Sequence, residues 1–227
     1  MEDFSKMDRP DITLYYFPRS CSLAVHIALE ESDINYRRHL VDLRTHENKS
    51  PEFLALNPVG AVPALRIGEQ ILTETQAILT YVGDTAPAGL LLPPSGHSDR
   101  YLAHQWMNFL SSSMHAYIRS IFRPSAYAPS EDSAAQAAVR RQGHINLASA
   151  VATVEARLTG STFALGEDFS VVDGYLFLMY LWSRDDRIET VPDRPKWAAL
   201  AERVWQRPAV KAVIKVEQRD RNFTLPF

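Results

Sequence analysis

The chain carries a single cysteine, and its surroundings suit a thiol that does chemistry. Cys21 follows an apolar run, Ile12-Thr13-Leu14-Tyr15-Tyr16-Phe17, and a turn at Pro18. It stands immediately before the amphipathic stretch Ser22-Leu23-Ala24-Val25-His26-Ile27-Ala28-Leu29. That order reads as strand, tight turn, helix, with the sulfur at the helix N-terminus. Unpaired backbone N–H groups there favour a thiolate and lower the thiol pKa. The competing reading is an inert interior thiol. No second cysteine is present to resolve a mixed disulfide, so exchange through Cys21 needs an external thiol. A second segment with chemical potential is Val59-Gly60-Ala61-Val62-Pro63, which has the composition of a ligand-binding turn. Pro63 either opens a strand through an ordinary trans bond or carries a cis bond.

The elements that must position these groups fall into two regions. In the first, Ile12 to Phe17 is a strand and Ser22 to about Glu31 a helix. Asn35 to Leu43 alternates as an edge strand. Ser50-Pro51-Glu52 starts a short helix that Asn57-Pro58 stops. Pro63–Ile67 and Gln70–Leu72 form a hairpin about Gly68, and Thr73 to Val82 is an amphipathic helix. The order is β-α-β-α-β-β-α, a small mixed sheet covered by helices. Residues 83–96, with Pro87, Gly89, Pro93, Pro94 and Gly96, have linker composition. The second region is all helical. It comprises a run from Ser98 to about Phe122 and a long helix from Ser133 to Leu158 with Gly160 as its C-cap. A capping box at Ser170-Val171-Val172-Asp173 then opens an apolar central helix, and two short helices flank Pro208. Losing Ser170 or Asp173 is expected to cost about 0.5–2 kcal/mol of stability.

Composition removes several classes. Lys and Arg number 24 against 27 Asp and Glu, a formal net charge of −3, so no global positive field attracts a nucleic acid. No apolar run is long enough for a membrane span. The N-terminal segment, Met1 to Pro10, is polar and lacks the apolar core of a secretory signal. With one cysteine, a reducing compartment and a cytoplasmic location are expected. His26, His39, His46, His97, His104 and His144 show no metal-ligand spacing, so no metal is expected. His26 reads as a helix-surface or interface residue, and Arg140-Arg141 and the arginines of 184–187 as solvated faces or pair partners.

Four segments, in order, carry a resemblance to a known family: Tyr15–Ser22, Asn57–Leu65, Leu72–Ile78 and Phe169–Leu176. The chain resembles the cytosolic glutathione S-transferases over about Ile12 to Val216, and is most similar to the bacterial beta class. The stretch Gln105-Trp106-Met107-Asn108-Phe109-Leu110-Ser111-Ser112-Ser113-Met114-His115 supports that class. The resemblance implies a thioredoxin-like, glutathione-binding α/β domain at 11–84, a linker at 85–96 and an all-α domain at 97–219 that forms the hydrophobic substrate side. Ala116 departs from the class, which commonly has lysine there. The zeta class, the maleylacetoacetate isomerases, fits less well, because Ala24 and His26 stand where its two arginines would be.

By this resemblance glutathione is the cofactor, and Cys21, Ser22 and His115 are the catalytic candidates. Cys21 would contact the glutathione sulfur. Ser22 would donate to the thiolate, its alternative being a simple helix cap. His115 would reach in from the helical domain, its alternative being solvent exposure. Val62 and Pro63, joined by a cis bond, would present backbone to the cysteinyl unit like an added strand. Glu74 and Thr75 would receive the γ-glutamyl ammonium and carboxylate. Tyr16 and Asn108 complete the expected glutathione contacts. Tyr16, Phe17 and Tyr117, with Phe122 as a further candidate, would wall the site for a small-molecule electrophile. The implied reaction is thiolate attack on that electrophile, with possible thiol–disulfide exchange through Cys21, in a homodimer. The alternatives are a glutathione-dependent disulfide reductase, peroxidase or dehalogenase, or a non-catalytic binding or regulatory protein on the same scaffold.

Overall fold

The computed structural model describes residues 11–86, 91–188 and 191–225. The expectations for Met1 to Pro10 and for the middle of 83–96 lie outside the described residues. The first region comprises β1 (Ile12–Tyr16), α1 (Ser22–Glu31), β2 (Arg37–Leu40), α2 (Pro51–Leu56), β3 (Ala64–Ile67), β4 (Gln70–Thr73) and α3 (Thr75–Thr85). The strands form one sheet in the order β2-β1-β3-β4. β1 and β2 run parallel, with Thr13 opposite Arg37, and the other pairs are antiparallel. β2 is the expected edge strand but shorter than the pattern 35–43, and it has little burial to hold it. α2 begins as expected, with Pro51 at its first position and the Ser50 hydroxyl accepting from Phe53 N–H at 3.2 Å.

The second region is helical among the described residues. It holds α4 (Ser98–Phe109), α5 (His115–Phe122), α6 (Ser133–Arg157), α7 (Val171–Ser183), α8 (Pro195–Gln206) and α9 (Pro208–Asp220). The expected single run 98–122 is continuous, but its middle, Leu110–Met114, is a π-helical turn. Serine chemistry accounts for it. Ser111 and Ser112 hydroxyls donate back to Met107 and Asn108 carbonyls at 2.8 and 2.7 Å, competing with the regular ladder. α6 ends at Leu158 in extended backbone. Gly160, at φ +96°, lies past that end in the following loop and is not the C-cap the sequence suggested.

Two helices hold the regions together. α1 buries eight of its ten residues, Ser22 through Leu29, because it packs on β1 and α3 on one side and on α7 and α9 on the other. α7 buries twelve of thirteen, as its all-round apolar sequence requires. Where they cross, a Cβ on Gly174 would lie 3.3 Å from Ile27 Cγ2, so the glycine permits the close approach. Of the two alternatives for His26, helix surface or interface, the structure shows the interface with α9. His26 is buried, because α9 covers its face of α1, and its Nδ1 lies 2.9 Å from Glu217 Oε1. No helix among the described residues is long and apolar enough to cross a membrane.

Asp173 fixes the entry to α7. Its carboxylate accepts from the N–H and hydroxyl of Ser170 and from Ala164 N–H, each at 2.8 Å. The aspartate thus ties down the loop before the helix as well as the cap. Burial pushes its pKa up to about 6, against the pull of those hydrogen bonds. Asp173→Ala leaves buried N–H groups unpaired and should cost about 2–4 kcal/mol by urea denaturation, above the range for a simple cap. A carboxyl with a raised native pKa contributes stability that is present below its ordinary pKa and is lost as pH rises through about 6. Wild type should therefore lose stability relative to Asp173→Asn between about pH 4 and 6.

Candidate functional site

The turn between β1 and α1 is set by local hydrogen bonds and then clamped from a distance. Ser22 Oγ accepts from Phe17 N–H at 3.1 Å and donates to Phe17 C=O at 3.0 Å. Ser20 Oγ, 2.8 Å from Ser22 Oγ, accepts from Ser22 N–H at 3.2 Å. Arg19 adopts φ +58°, an uncommon conformation for a side-chain-bearing residue. Both of its peptide groups are held by the helical region: its N–H donates to Glu217 Oε2 at 2.9 Å, and its C=O accepts from Trp182 Nε1 at 2.8 Å. This loop opens onto a cleft of about 690 Å³, a size that suits a small-molecule site.

Cys21, Val62, Pro63, Glu74, Thr75 and His115 all line that cleft, as do Phe17 and Phe122. Four expected residues do not. Ser22 is fully buried and its hydroxyl is consumed by Phe17, so it holds the turn instead of facing a ligand. Tyr16 shares its strand face with Leu14. It turns into the core beside His26, and its hydroxyl donates to Asp220. Asn108 is exposed on α4 outside the cleft. On a regular helix it would share a face with His115, but the π-helical turn between them breaks the phase. Tyr117 packs against the core, off the Ile118, Arg119 and Phe122 face that lines the cleft.

Cys21 sits half-buried at the start of α1, but not as the activated thiolate its position suggested. Burial pushes its pKa up to about 12; a hydrogen bond with Thr75 opposes the rise, and the Glu74 charge adds to it. The free amides expected to stabilise a thiolate are already used. Ser20 receives Ser22 N–H on its side chain and Leu23 N–H on its carbonyl. Cys21 is thus a protonated thiol at neutral pH, a donor in waiting.

The opposite wall is a held loop. Asn48 Nδ2 donates to Gly60 C=O at 2.7 Å and Asn57 Nδ2 to Ala61 C=O at 2.8 Å, while Lys49 Nζ reaches Val59 C=O at 3.2 Å. Gly60 has φ +64°, and a Cβ there would lie 2.7 Å from Asn48 C=O, so only glycine fits. The Val62–Pro63 bond is cis. Among the described residues, Val62 N–H and C=O make no backbone hydrogen bond, which leaves both for a ligand. Glu74 also sits at positive φ, +68°, as the N-cap of α3 with no side-chain cap bond, so its carboxylate is not spent on the helix. Such backbone costs about 1–3 kcal/mol and is characteristic of ligand clamps.

From the helical side, His115 lies 5.6 Å from the Trp182 ring, and burial followed by the Arg119 charge lowers its pKa. It is neutral at pH 7, able to donate or accept one hydrogen bond. Sequence reasoning missed Ser20, Ser111, Tyr175 and Trp182. Tyr175 OH lies 3.2 Å from Ser111 Oγ, and both line the cleft near Cys21. Tyr175 stands two residues past the Asp173 box, and that spacing from the α7 start is its sequence signal. Ser111 depended on the π-helical turn, which has no clear sequence signal. Among the described residues no group of three or more His, Cys, Asp or Glu is placed to hold a metal ion.

A protonated Cys21 predicts its own pH behaviour. The rate of iodoacetamide alkylation of the free protein should climb steadily to at least pH 10, with no plateau near the ordinary thiol pKa of about 8.5. A plateau near pH 7 would show an activated thiolate.

Comparison with known proteins places the chain in a family. Residues 10–84 match the family model for the glutathione S-transferase N-terminal domain. Glutathione S-transferase GstA of Escherichia coli O157:H7 is 31% identical over 209 residues, covering 90% of this chain and 98% of that protein. A glutathione transferase homologue from Sulfitobacter, solved with bound glutathione, superposes with a TM-score of 0.81 at 33% identity, covering 91% of this chain and 98% of the other. The bacterial beta class glutathione S-transferase of Sphingomonas chungbukensis superposes with a TM-score of 0.76 at 32% identity, covering 90% and 98%. The chain belongs to the glutathione S-transferase family and closely matches its bacterial beta class.

Proposed function

We propose that this protein is a glutathione transferase whose cleft binds the tripeptide along the Val62 edge and presents its sulfur between Cys21 and His115. The observation that carries this reading is the convergence of an unpaired Val62 backbone, an uncapped Glu74, the Thr75 helix start, Cys21 and His115 on one cleft. Each group suits a part of the tripeptide. The Val62 N–H and C=O pair with an extended peptide. Thr75 and the α3 N-terminus take a carboxylate, and Glu74 takes an ammonium. Lys49, which lines the same cleft beside Val59, is the cation for the second carboxylate. Glutathione, when bound, supplies a thiolate nucleophile for an electrophilic carbon.

The residues of this chain act on that sulfur as donors. Cys21 S–H, protonated by burial, and neutral His115 are positioned to hydrogen-bond a thiolate and favour its charged form. Phe17, Phe122 and Trp182 supply apolar surface for the electrophile. With its thiol protonated, Cys21 is a poor resident nucleophile, which favours conjugation over a disulfide-reductase cycle. Ala116 supplies no charge, so His115 works without a neighbouring lysine.

We also read the chain as a cytoplasmic homodimer. The lone free cysteine suits a reducing compartment. Tyr101 and Leu102 on α4 and Ile145 on α6 are exposed, at 69%, 49% and 64%, apolar side chains that a second copy would cover. Leu102→Glu with Ile145→Glu should halve the mass seen by sedimentation equilibrium.

Calorimetric titration of reduced glutathione tests the function. One saturable site per subunit is expected, and no heat up to millimolar ligand overturns the reading. Glu74→Gln should weaken binding about tenfold or more, the loss of one charge-assisted hydrogen bond. Cys21→Ala should still bind glutathione and keep conjugation within about tenfold of wild type, since it loses one of two donors. Loss of conjugation far beyond that would favour the reductase alternative.

A further inference from the structure

The helical side of the cleft carries a charge pattern that tripeptide binding does not use. Six cationic side chains line the cleft, Arg19, Lys49, Arg119, Arg123, Arg187 and Arg221, against two carboxylates, Glu74 and Asp185. The whole chain has a formal net charge of −3, so this positive field is local and not a product of composition. Lys49 and Glu74 stand on the side where the tripeptide is read to bind. Arg19, Arg187 and Arg221 lie near one another with Asp185 as their acid, Arg119 lies near His115, and Arg123 also lines the cleft.

Asp185 is already engaged. Arg187 holds both its oxygens, at 2.6 and 2.9 Å, while lying 3.7 Å over the Phe122 ring. Arg221 lies 5.4 Å over the Phe17 ring, and Arg19 lies 5.4 Å over Phe223. Among the described residues, Arg19, Arg119, Arg123 and Arg221 have no carboxylate partner. Arg19 is desolvated, and although Asp185 offsets some of the cost, it also feels the like charges of Arg221 and Arg187. Arg19 is the part-buried member of the group, while Arg119, Arg123, Arg187 and Arg221 are exposed and present their charge to whatever enters the cleft. Guanidinium groups match a carboxylate in shape as well as charge.

We infer that the electrophile this cleft takes is a carboxylate on a flat apolar body, the body resting on Phe17, Phe122 and Trp182 and the anion held by the unpaired arginines. The inference rests on the transferase reading and narrows it from electrophiles in general to anionic ones. The arginines touch the substrate away from the reacting carbon, so they set affinity and orientation.

The test compares 4-chloro-3,5-dinitrobenzoate with its methyl ester. With either, the glutathione sulfur bonds to the ring carbon, chloride leaves with the electrons of the carbon–chlorine bond, and the thiol proton goes to solvent. Each kcat/KM is divided by the uncatalysed rate constant with glutathione, which removes the different reactivity of acid and ester. The corrected acid-over-ester ratio should be about tenfold or more in wild type, as expected of charge-assisted contacts. It should fall several-fold in Arg123→Gln with Arg221→Gln, and fall as added salt screens the field. A ratio at or below one in wild type, or a ratio unmoved in the double variant, overturns the inference. Glutathione calorimetry on the same preparations separates the two readings. Absent binding overturns the transferase reading itself, whereas intact binding with no preference for the acid overturns only the anionic substrate.

Discussion

The cleft depends on one buried carboxylate. Glu217, on the last described helix, is fully buried and cannot be solvated by water, so its oxygens must find protein donors. Oε1 meets His26 Nδ1 on α1, and Oε2 accepts Arg19 N–H in the turn before it. The contact joins residues far apart in sequence and fixes the loop that carries Cys21. Trp182 holds the other side of the same residue through Arg19 C=O. The geometry of the thiol therefore belongs to both regions of the chain, and neither could set it alone.

The same enclosure sets the chemistry. Packing α7 and α9 over α1 removes water from Cys21, and desolvation outweighs whatever the helix terminus offers a thiolate. What remains is a donor. His115 arrives in the cleft because a π-helical turn rotates the chain after α4, and burial keeps its imidazole neutral. Two neutral donors facing one cleft suit the stabilisation of an arriving thiolate better than the maintenance of a resident one. The arginines beyond them extend the logic from the sulfur to its reaction partner.

The fold was largely legible in the sequence because its signals are local. A continuous apolar run gave β1, the Gly68 turn gave the hairpin, Ser50-Pro51 gave the α2 start, and the Asp173 box gave the α7 start. The even apolarity of Val171 to Leu181 marked a helix buried on every side. Where the reading slipped or stayed open, non-local contacts decided. The sequence left His26 between helix surface and interface, which only α9 decided, and Gly160 resembled a cap in a loop that Asp173 arranges differently. The π-helical turn arose from serine hydroxyls competing for carbonyls, a competition that residue spacing does not reveal.

For the site, the sequence by itself determined which backbone positions and residue types were available: a thiol after a strand turn, a proline edge, an acid and a hydroxyl at a helix start, and a family of transferases that arranges them together. Those features are written in short segments, where chain connectivity fixes the spacing. The tertiary structure decided which side chains face the ligand and in what protonation state. Ser22 and Tyr16 were taken by hydrogen bonds inside the fold, Asn108 was turned away by helix phase, and Tyr175, Ser111 and the arginines were brought in from distant elements. The physical reason is that solvation and charge are sums over everything nearby in space, and most of what lies near Cys21 is distant from it in sequence.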